Sequence, residues 1–218
     1  MSFLRLAPSL HRPSRARASS RAFTLVELLV VIAIIGALAG ILIPTMSASR
    51  NSAKRAETKV RFSQWAIAME QFRQEYGYYP QVDGGGTANK VNPTRFAGAL
   101  TARTLSGTAY TVTTDTNLGG NKKLIAFYSI GESELSSART ALVDGYGNTD
   151  IAVIYDTNGD GLLNATDGTA VTVTSTDTGN TLTPASTDLS LTTGVRAGVI
   201  FYSAGKGTAA SDIIYSWK

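Results

Sequence analysis

Residues 156–167 read Asp-Thr-Asn-Gly-Asp-Gly-Leu-Leu-Asn-Ala-Thr-Asp, which puts oxygen-bearing side chains at positions 1, 3, 5, 9 and 12 of the run and a glycine at position 6. Calcium takes six to eight hard oxygen ligands, and alternate positions of a tight loop can turn inward together when a glycine permits the sharp bend. Asp156, Asn158, Asp160 and Asp167 would supply side chains, Leu162 its backbone carbonyl, and Asn164 a direct or water-bridged contact. The same run also reads as an Asx-rich polar turn that binds no ion.

The other residue out of its ordinary place is Glu27, the one charge in the apolar run Phe23 to Ile43. A lone carboxylate in hydrocarbon costs roughly 2.5–3.5 kcal/mol on insertion scales, so its presence points to a use. Beyond these two features the chemistry is sparse. There are no cysteines, and the single histidine, His11, lies in the basic N-terminal stretch. A chain lacking both residue types past that stretch cannot build a Ser-His-Asp or Cys-His site or a His-ligated zinc centre. No convergent acid, base and nucleophile stand out, and the expectation is that the protein is not an enzyme.

The elements that must position these residues follow from periodicity. At about 1.5 Å rise per residue, a helix over 23–43 spans about 31 Å, the thickness of a bilayer core. Gly36 and Gly40 form a G-x-x-x-G pair, which lets helix backbones approach closely. Pro44 removes an amide and frees the carbonyl of Gly40, predicting a kink or loosening there. The run also reads as an ordinary secretory signal, with Ala37-Leu38-Ala39 as the cleavage site before Gly40, although the apolar residues continue past it to Ile43.

After Pro44 a helical period resumes: Phe62, Trp65, Met69, Phe72 and Tyr76 make one apolar stripe that would dock on a sheet. Gly77 is the expected helix stop, with Pro80 three residues on. Further along, Thr108–Thr114, Lys123–Ser129, Asp150–Tyr155, Thr169–Ser175, Arg196–Ser203 and Asp212–Trp217 read as strands of an antiparallel sheet, and Ser175–Thr193 as a long mobile loop.

Charge adds an exclusion. The 20 Lys and Arg and 16 Asp and Glu give a formal net charge of +4, but residues 1–22 hold Arg5, Arg12, Arg15, Arg17 and Arg21 and no acid. Without that segment the balance is one net negative charge, so nucleic-acid binding is not expected. Arg50, Lys54, Arg55, Lys59 and Arg61 follow the span, and counting positive charges on its two sides comes close to a tie.

Ala22 followed by Phe23-Thr24-Leu25-Val26-Glu27 and an apolar helix resembles the signature of the type IV pilin and pseudopilin family, with Ala22 where the family usually has Gly. The resemblance implies that a prepilin peptidase cuts between Ala22 and Phe23 and that the new amine of Phe23 is methylated. A carboxylate one turn away, on the same or a neighbouring subunit, could neutralise that amine in a low-dielectric filament core and mark the register, since a slip would unpair both charges. Pro44 lies 21 positions after Phe23, where pilin-like helices commonly carry a proline.

Tyr76-Gly77-Tyr78-Tyr79-Pro80, Phe96-Ala97-Gly98-Ala99-Leu100, Asp144-Gly145-Tyr146-Gly147-Asn148 and the segment Phe201–Gly205 with Asp212-Ile213-Ile214 and Trp217 resemble stretches of the major pseudopilins of type II secretion. That last segment usually carries several calcium-binding acids; here Lys206 and Thr208 stand in it and only Asp212 remains. The 156–167 run resembles the EF-hand-type loops of dockerin modules, but strand-like sequences flank it, so a structural clip is expected rather than a cohesin-binding surface.

The expectation is therefore an α+β, pilin-like fold: a leader over 1–22, a membrane and filament-core helix over 23–44, an amphipathic helix over 45–77, and a β-rich domain over 78–218. The resemblance implies a single pass through the bacterial inner membrane, a periplasmic domain, assembly with itself and other pseudopilins on an inner-membrane platform, and lipid as partner before assembly. A type II secretion filament, a surface pilus and a secreted calcium-dependent binding module stay open at this point.

Overall fold

The computed structural model describes residues 23–84, 89–111 and 116–218, with the side chains of Ile43 and Pro44 outside that description. The leader expected over 1–22, with Ala22, and the end of the strand expected over Thr108–Thr114 lie outside the described residues, as does the loosening expected at Pro44. The helix α1 spans Leu25–Tyr76 and α2 spans Pro93–Thr101. Five strands follow: β1 (Ile151–Tyr155), β2 (Val173–Thr174), β3 (Thr181–Leu182), β4 (Val199–Ser203) and β5 (Ile214–Tyr215). The chain forms two compact units, Met1–Met46 and Ser47–Lys218, each described by itself.

In the first unit the large apolar side chains described from Leu25 to Leu42 stand open, from Leu25 at 79% exposed to Val31 at 47%. A continuous apolar surface of this kind requires a cover of lipid or of other chains. The hydroxyl of Thr45 turns back onto the helix, donating to the carbonyls of Leu42 at 2.9 Å and Ile41 at 3.3 Å, so it adds no unpaired polar group to the segment.

The second unit is built in three layers around one sheet. Strands β1, β4 and β5 are antiparallel in the order β1-β4-β5, with Ile151 opposite Ser203 and Tyr155 opposite Val199. Side chains alternate across a strand, so Ile151, Val153 and Phe201 face one layer while Ala152, Ile154, Ile200 and Tyr202 face the other. Toward the first layer lie Phe62, Trp65, Met69 and Phe72 of α1, all fully buried, with Phe96 and Leu100 of α2. Trp65 sits 4.9 Å from the ring of Phe96 and 5.6 Å from that of Phe201. Burying each of these helix side chains contributes about 1.5–3 kcal/mol. The helix stops where the sequence indicates: Gly77 takes φ +82° and its N–H closes onto the carbonyl of Arg73 at 2.7 Å.

The other face of the sheet is covered by Leu163, Val173, Leu182, Leu189 and Ile213. This corrects the long mobile loop expected over Ser175–Thr193. Its residues supply the turn and the second strand, β3, of an antiparallel hairpin with β2, Val173 standing opposite Leu182, and Leu189 is 4% exposed. The polar composition concealed a few leucines spaced to cap the second face. Lys123–Ser129 makes no ladder: Lys123 lies in a turn, Leu124 takes φ +53°, the N–H groups of Phe127 and Tyr128 both turn to the carbonyl of Leu100, and Ile125 is held at both ends by the Asn121 side chain. Within the described part of Thr108–Thr114 the pairing is one isolated bridge, Arg103 with Ala109. Thr169–Ser175 contracts to β2 and Asp212–Trp217 to β5.

Candidate functional site

Thr24 is the last residue before α1, and Glu27 is the third residue within it. The backbone N–H and hydroxyl of Thr24 donate to Oε2 of Glu27 at 2.9 and 2.8 Å, and the Glu27 N–H donates back to the Thr24 hydroxyl at 3.2 Å. This is a reciprocal capping box: each side chain satisfies an amide that a helix start leaves without a partner. The signature Thr-x-x-Glu was visible in the sequence, yet the reading of Glu27 as a membrane-buried charge passed over it. Phe23 precedes the cap outside the helix and is 74% exposed. Gly36 and Gly40 lie on α1 with open space where a Cβ would stand, so either position offers a close-approach surface without a partner chain having to displace a side chain.

The 156–167 loop leaves β1 and is pinned by the bridge of Leu163 with Val195, whose two reciprocal bonds measure 2.8 and 2.9 Å. Asp156, 3% exposed, accepts from Gly159 N at 2.6 Å and Gly161 N at 2.9 Å through its two oxygens. Gly159 and Gly161 take φ of +79° and +75°, which a side chain would strain. Asp167, 9% exposed, accepts from Thr157 N at 2.9 Å and Asn164 N at 3.0 Å. Asp160 accepts from Leu162 N at 2.8 Å and from the Asn158 amide at 3.0 Å, and Asn164 accepts from Thr166 N.

Every one of these hydrogen-bond donors is neutral, and the nearest cation to act on Asp156 through charge is Arg73, which makes no ion pair with it. Among the described residues no group of three or more His, Cys, Asp or Glu side chains converges as a metal-ligand set. The loop thus gathers Asp156, Asn158, Asp160, Leu162, Asn164 and Asp167 on one turn, with each carboxylate closing the turn locally. Behind Asp156 a cavity of about 240 Å³ is lined by Arg73, Tyr78, Tyr79 and Tyr155, which ties the loop to the C-terminal end of α1. The Arg73 guanidinium lies 5.0 Å over the Tyr79 ring.

A third polar centre underlies the 144–148 turn. Asp144 is 2% exposed and accepts from the N–H groups of Tyr146 (2.8 Å) and Asn148 (2.9 Å), the Asn148 amide (2.8 Å) and the Ser203 hydroxyl (2.7 Å). The turn sits hard against α1: the Gly145 N–H donates to the Thr58 hydroxyl at 2.9 Å, and a Cβ at Gly145 would come 2.5 Å from the Lys54 carbonyl. This centre knits turn, sheet and helix together and has the marks of a structural rather than a reactive site.

Compared with known proteins, residues 17–43 match the family described as the prokaryotic N-terminal methylation motif. The match takes in Ala22, Phe23, the capping pair and both helix glycines. No curated protein and no solved structure matches the chain.

Proposed function

We propose that this chain is a type IV pilin-like structural subunit that polymerises into a periplasmic pseudopilus for type II protein secretion. The observation that carries the reading is the coincidence, within one segment, of the methylation motif and an apolar helix whose described side chains lie open. In this reading a prepilin peptidase cuts between Ala22 and Phe23 and methylates Phe23, and the α1 segments of many copies then bundle, with Gly36 and Gly40 at close approaches. Before assembly the same segment is anchored in the inner membrane by lipid.

The capping box sharpens the role of Glu27. Its Oε2 already accepts from the amide of Thr24, the next nitrogen along from the one that cleavage frees. The same carboxylate therefore marks the helix start before cleavage and is placed to meet an amine after it, on its own subunit or a neighbour. The assignment to secretion over a surface pilus rests on the likeness of the 76–80, 96–100, 144–148 and 201–217 segments to major pseudopilins.

The proposed ligand of the 156–167 loop is Ca²⁺, in a structural role. All six named donors are hard oxygens, and Asp156 and Asp167 bring buried negative charge with only neutral partners, a donor set that suits calcium and suits softer metals poorly. A bound cation would add countercharge to that of Arg73 near Asp156, with the Asn158 to Asp160 bond exchanged for coordination.

Mass spectrometry of the mature N-terminus tests the core of the proposal. N-methylated Phe23 is expected. A chain beginning at Gly40 would instead mark a secreted module released by signal peptidase, and an uncut chain would end the filament reading. Deleting the gene separates the two filament roles, because loss of exported proteins with surface pili intact is the outcome expected for a secretion subunit.

A further inference from the structure

Asparagine followed by glycine is the dipeptide at which a chain most readily modifies itself, because glycine has no side chain to obstruct the approach of its own amide nitrogen to the preceding side chain. The 156–167 loop holds that dipeptide at Asn158-Gly159 and its slower aspartate counterpart at Asp160-Gly161, and all four residues are exposed. Attack of the Gly159 nitrogen on the side-chain carbonyl carbon of Asn158 forms a C–N bond and closes a succinimide ring, while the side-chain nitrogen leaves with the amide proton as ammonia. Water then opens the ring to aspartate or to isoaspartate, in which the main chain runs through the side-chain carbon. At Asp160 the same attack by Gly161 expels water, and hydrolysis returns aspartate or isoaspartate.

The loop withholds both nucleophiles. The Gly159 N–H donates to Oδ1 of Asp156 at 2.6 Å and the Gly161 N–H to Oδ2 at 2.9 Å. Either nitrogen becomes nucleophilic only on losing its proton, which breaks a hydrogen bond to a charged acceptor and sets a second negative charge against the Asp156 carboxylate. A carboxylate is too weak a base to take that proton itself. Asp156 follows β1 directly, is 3% exposed, and donates its own N–H to the Gly198 carbonyl at 2.8 Å, so the acceptor is anchored to the sheet side of the loop. The side chains under attack are held as well. Asn158 accepts from Asp160 N at 3.0 Å and donates to Oδ2 of Asp160 at 3.0 Å, and Oδ1 of Asp160 accepts from Leu162 N at 2.8 Å.

We propose that the run Asn158-Gly159-Asp160-Gly161 is a latent site of self-modification, and that the Asp156 carboxylate holds it back by engaging both glycine amides at once. The dipeptides are labile by composition and durable in the fold for as long as Asp156 stays seated. Isoaspartate at 158 or 160 inserts a backbone carbon between positions whose side chains alternate, so modification would spoil the oxygen spacing of the loop. The inference depends neither on bound calcium nor on the membrane span.

The test is incubation of the full chain in detergent, chelator and mildly alkaline buffer, below its melting temperature. Peptide mapping by mass spectrometry reads the conversion of Asn158, and enzymatic methylation of isoaspartyl residues reads position 160. The same chain unfolded in urea supplies the unprotected rate, and the folded parent should convert Asn158 about tenfold or more slowly than that. Asp156→Ala should raise the rate at both positions about tenfold over the parent, about 1.4 kcal/mol of barrier. Asp160→Ala frees the Asn158 side chain but leaves the Gly159 amide on Asp156, and should stay close to the parent. Asp156→Asn offers one acceptor oxygen to two amides and should accelerate at least one of the positions, so a folded form of either Asp156 variant gives the answer. Equal rates in the parent and a folded Asp156 variant overturn the proposal. An acceleration by Asp160→Ala as large as that by Asp156→Ala overturns it too, since any loosening of the loop would then suffice.

Discussion

The indole N–H of Trp65 donates to Oε2 of Glu134 at 2.7 Å, joining the middle of the α1 core face to a short turn 69 residues further on. Glu134 is 8% exposed and also accepts from the Tyr128 hydroxyl and Gly131 N. Glu134→Ala leaves buried donors without an acceptor, each costing about 1–3 kcal/mol, so the melting temperature should fall by roughly 6–10 °C. Glu134→Gln keeps an acceptor and should lose less than half of that. Equal melting of parent and alanine variant in a thermal scan would remove the pair from the account of stability.

Thr24 and Glu27 offer a way to separate capping from charge. Thr24→Ala removes one half of the cap at a cost of about 1 kcal/mol but leaves the carboxylate. Glu27→Gln keeps a capping acceptor and removes the charge. Filament yield, counted by electron microscopy, should be modestly lower for Thr24→Ala and nearly abolished for Glu27→Gln. Matching yields from the two variants would mean that the carboxylate serves the helix start alone.

The 156–167 loop should couple stability to calcium. The parent chain is expected to melt higher in millimolar Ca²⁺ than in chelator, by RT ln(1 + [L]/Kd), about 2.7 kcal/mol when calcium is 100 times Kd. Asp156→Ala and Asp160→Ala should abolish that difference. Indistinguishable parent melts with and without chelator would leave the loop as a polar turn.

Two buried tyrosines set an alkaline limit. Burial pushes the pKa of Tyr202 and of Tyr215 up to about 12, against an ordinary value of 10. A raised folded-state value means that the neutral phenol is favoured in the folded protein. Stability is thus fully present below about pH 10 and declines between about 10 and 12. Denaturant midpoints measured across that window should fall.

The same two residues differ in their bonding. The Tyr202 hydroxyl donates to the Val171 carbonyl at 2.9 Å and accepts from its N–H at 2.8 Å, while the buried hydroxyl of Tyr215 has no hydrogen-bond partner among the described residues. Tyr215→Phe should therefore be neutral or stabilising and lessen the alkaline loss, whereas Tyr202→Phe should cost about 1–2 kcal/mol. A destabilised Tyr215→Phe variant would count against this reading of the site.

Much of this architecture was legible because its signals are local. The 3-4-3-4 spacing of Phe62, Trp65, Met69, Phe72 and Tyr76 forces those side chains onto one helical stripe, and four of the five are fully buried. Gly77 took the left-handed conformation that ends the helix. The runs Ile151–Tyr155 and Val199–Ser203 became the longest paired strands, β1 and β4, because they are apolar on both faces.

Other features depended on partners distant in sequence. Lys123–Ser129 has strand composition, but its amides are drawn to Leu100 and Asn121. Arg61 reads as a solvated residue, yet it is 4% exposed, donating to the Val143 carbonyl and bonding Glu57 at 2.8 Å. Periodicity shows neither outcome, since both depend on which chain segment lies alongside.

What the sequence alone determined is the exposed helix with its capping pair, the apolar stripe, the two five-residue strands and the spacing of oxygens over 156–167, because each is encoded in residues within a few turns of one another. The tertiary structure decided that the sheet has two covered faces, that Asp144 and Glu134 are buried among neutral donors, and that Arg55, Lys206 and Asp212 share a pocket. Those depend on long-range packing, in which a side chain's environment is set by segments 59 to 157 residues away, and no local pattern carries that information.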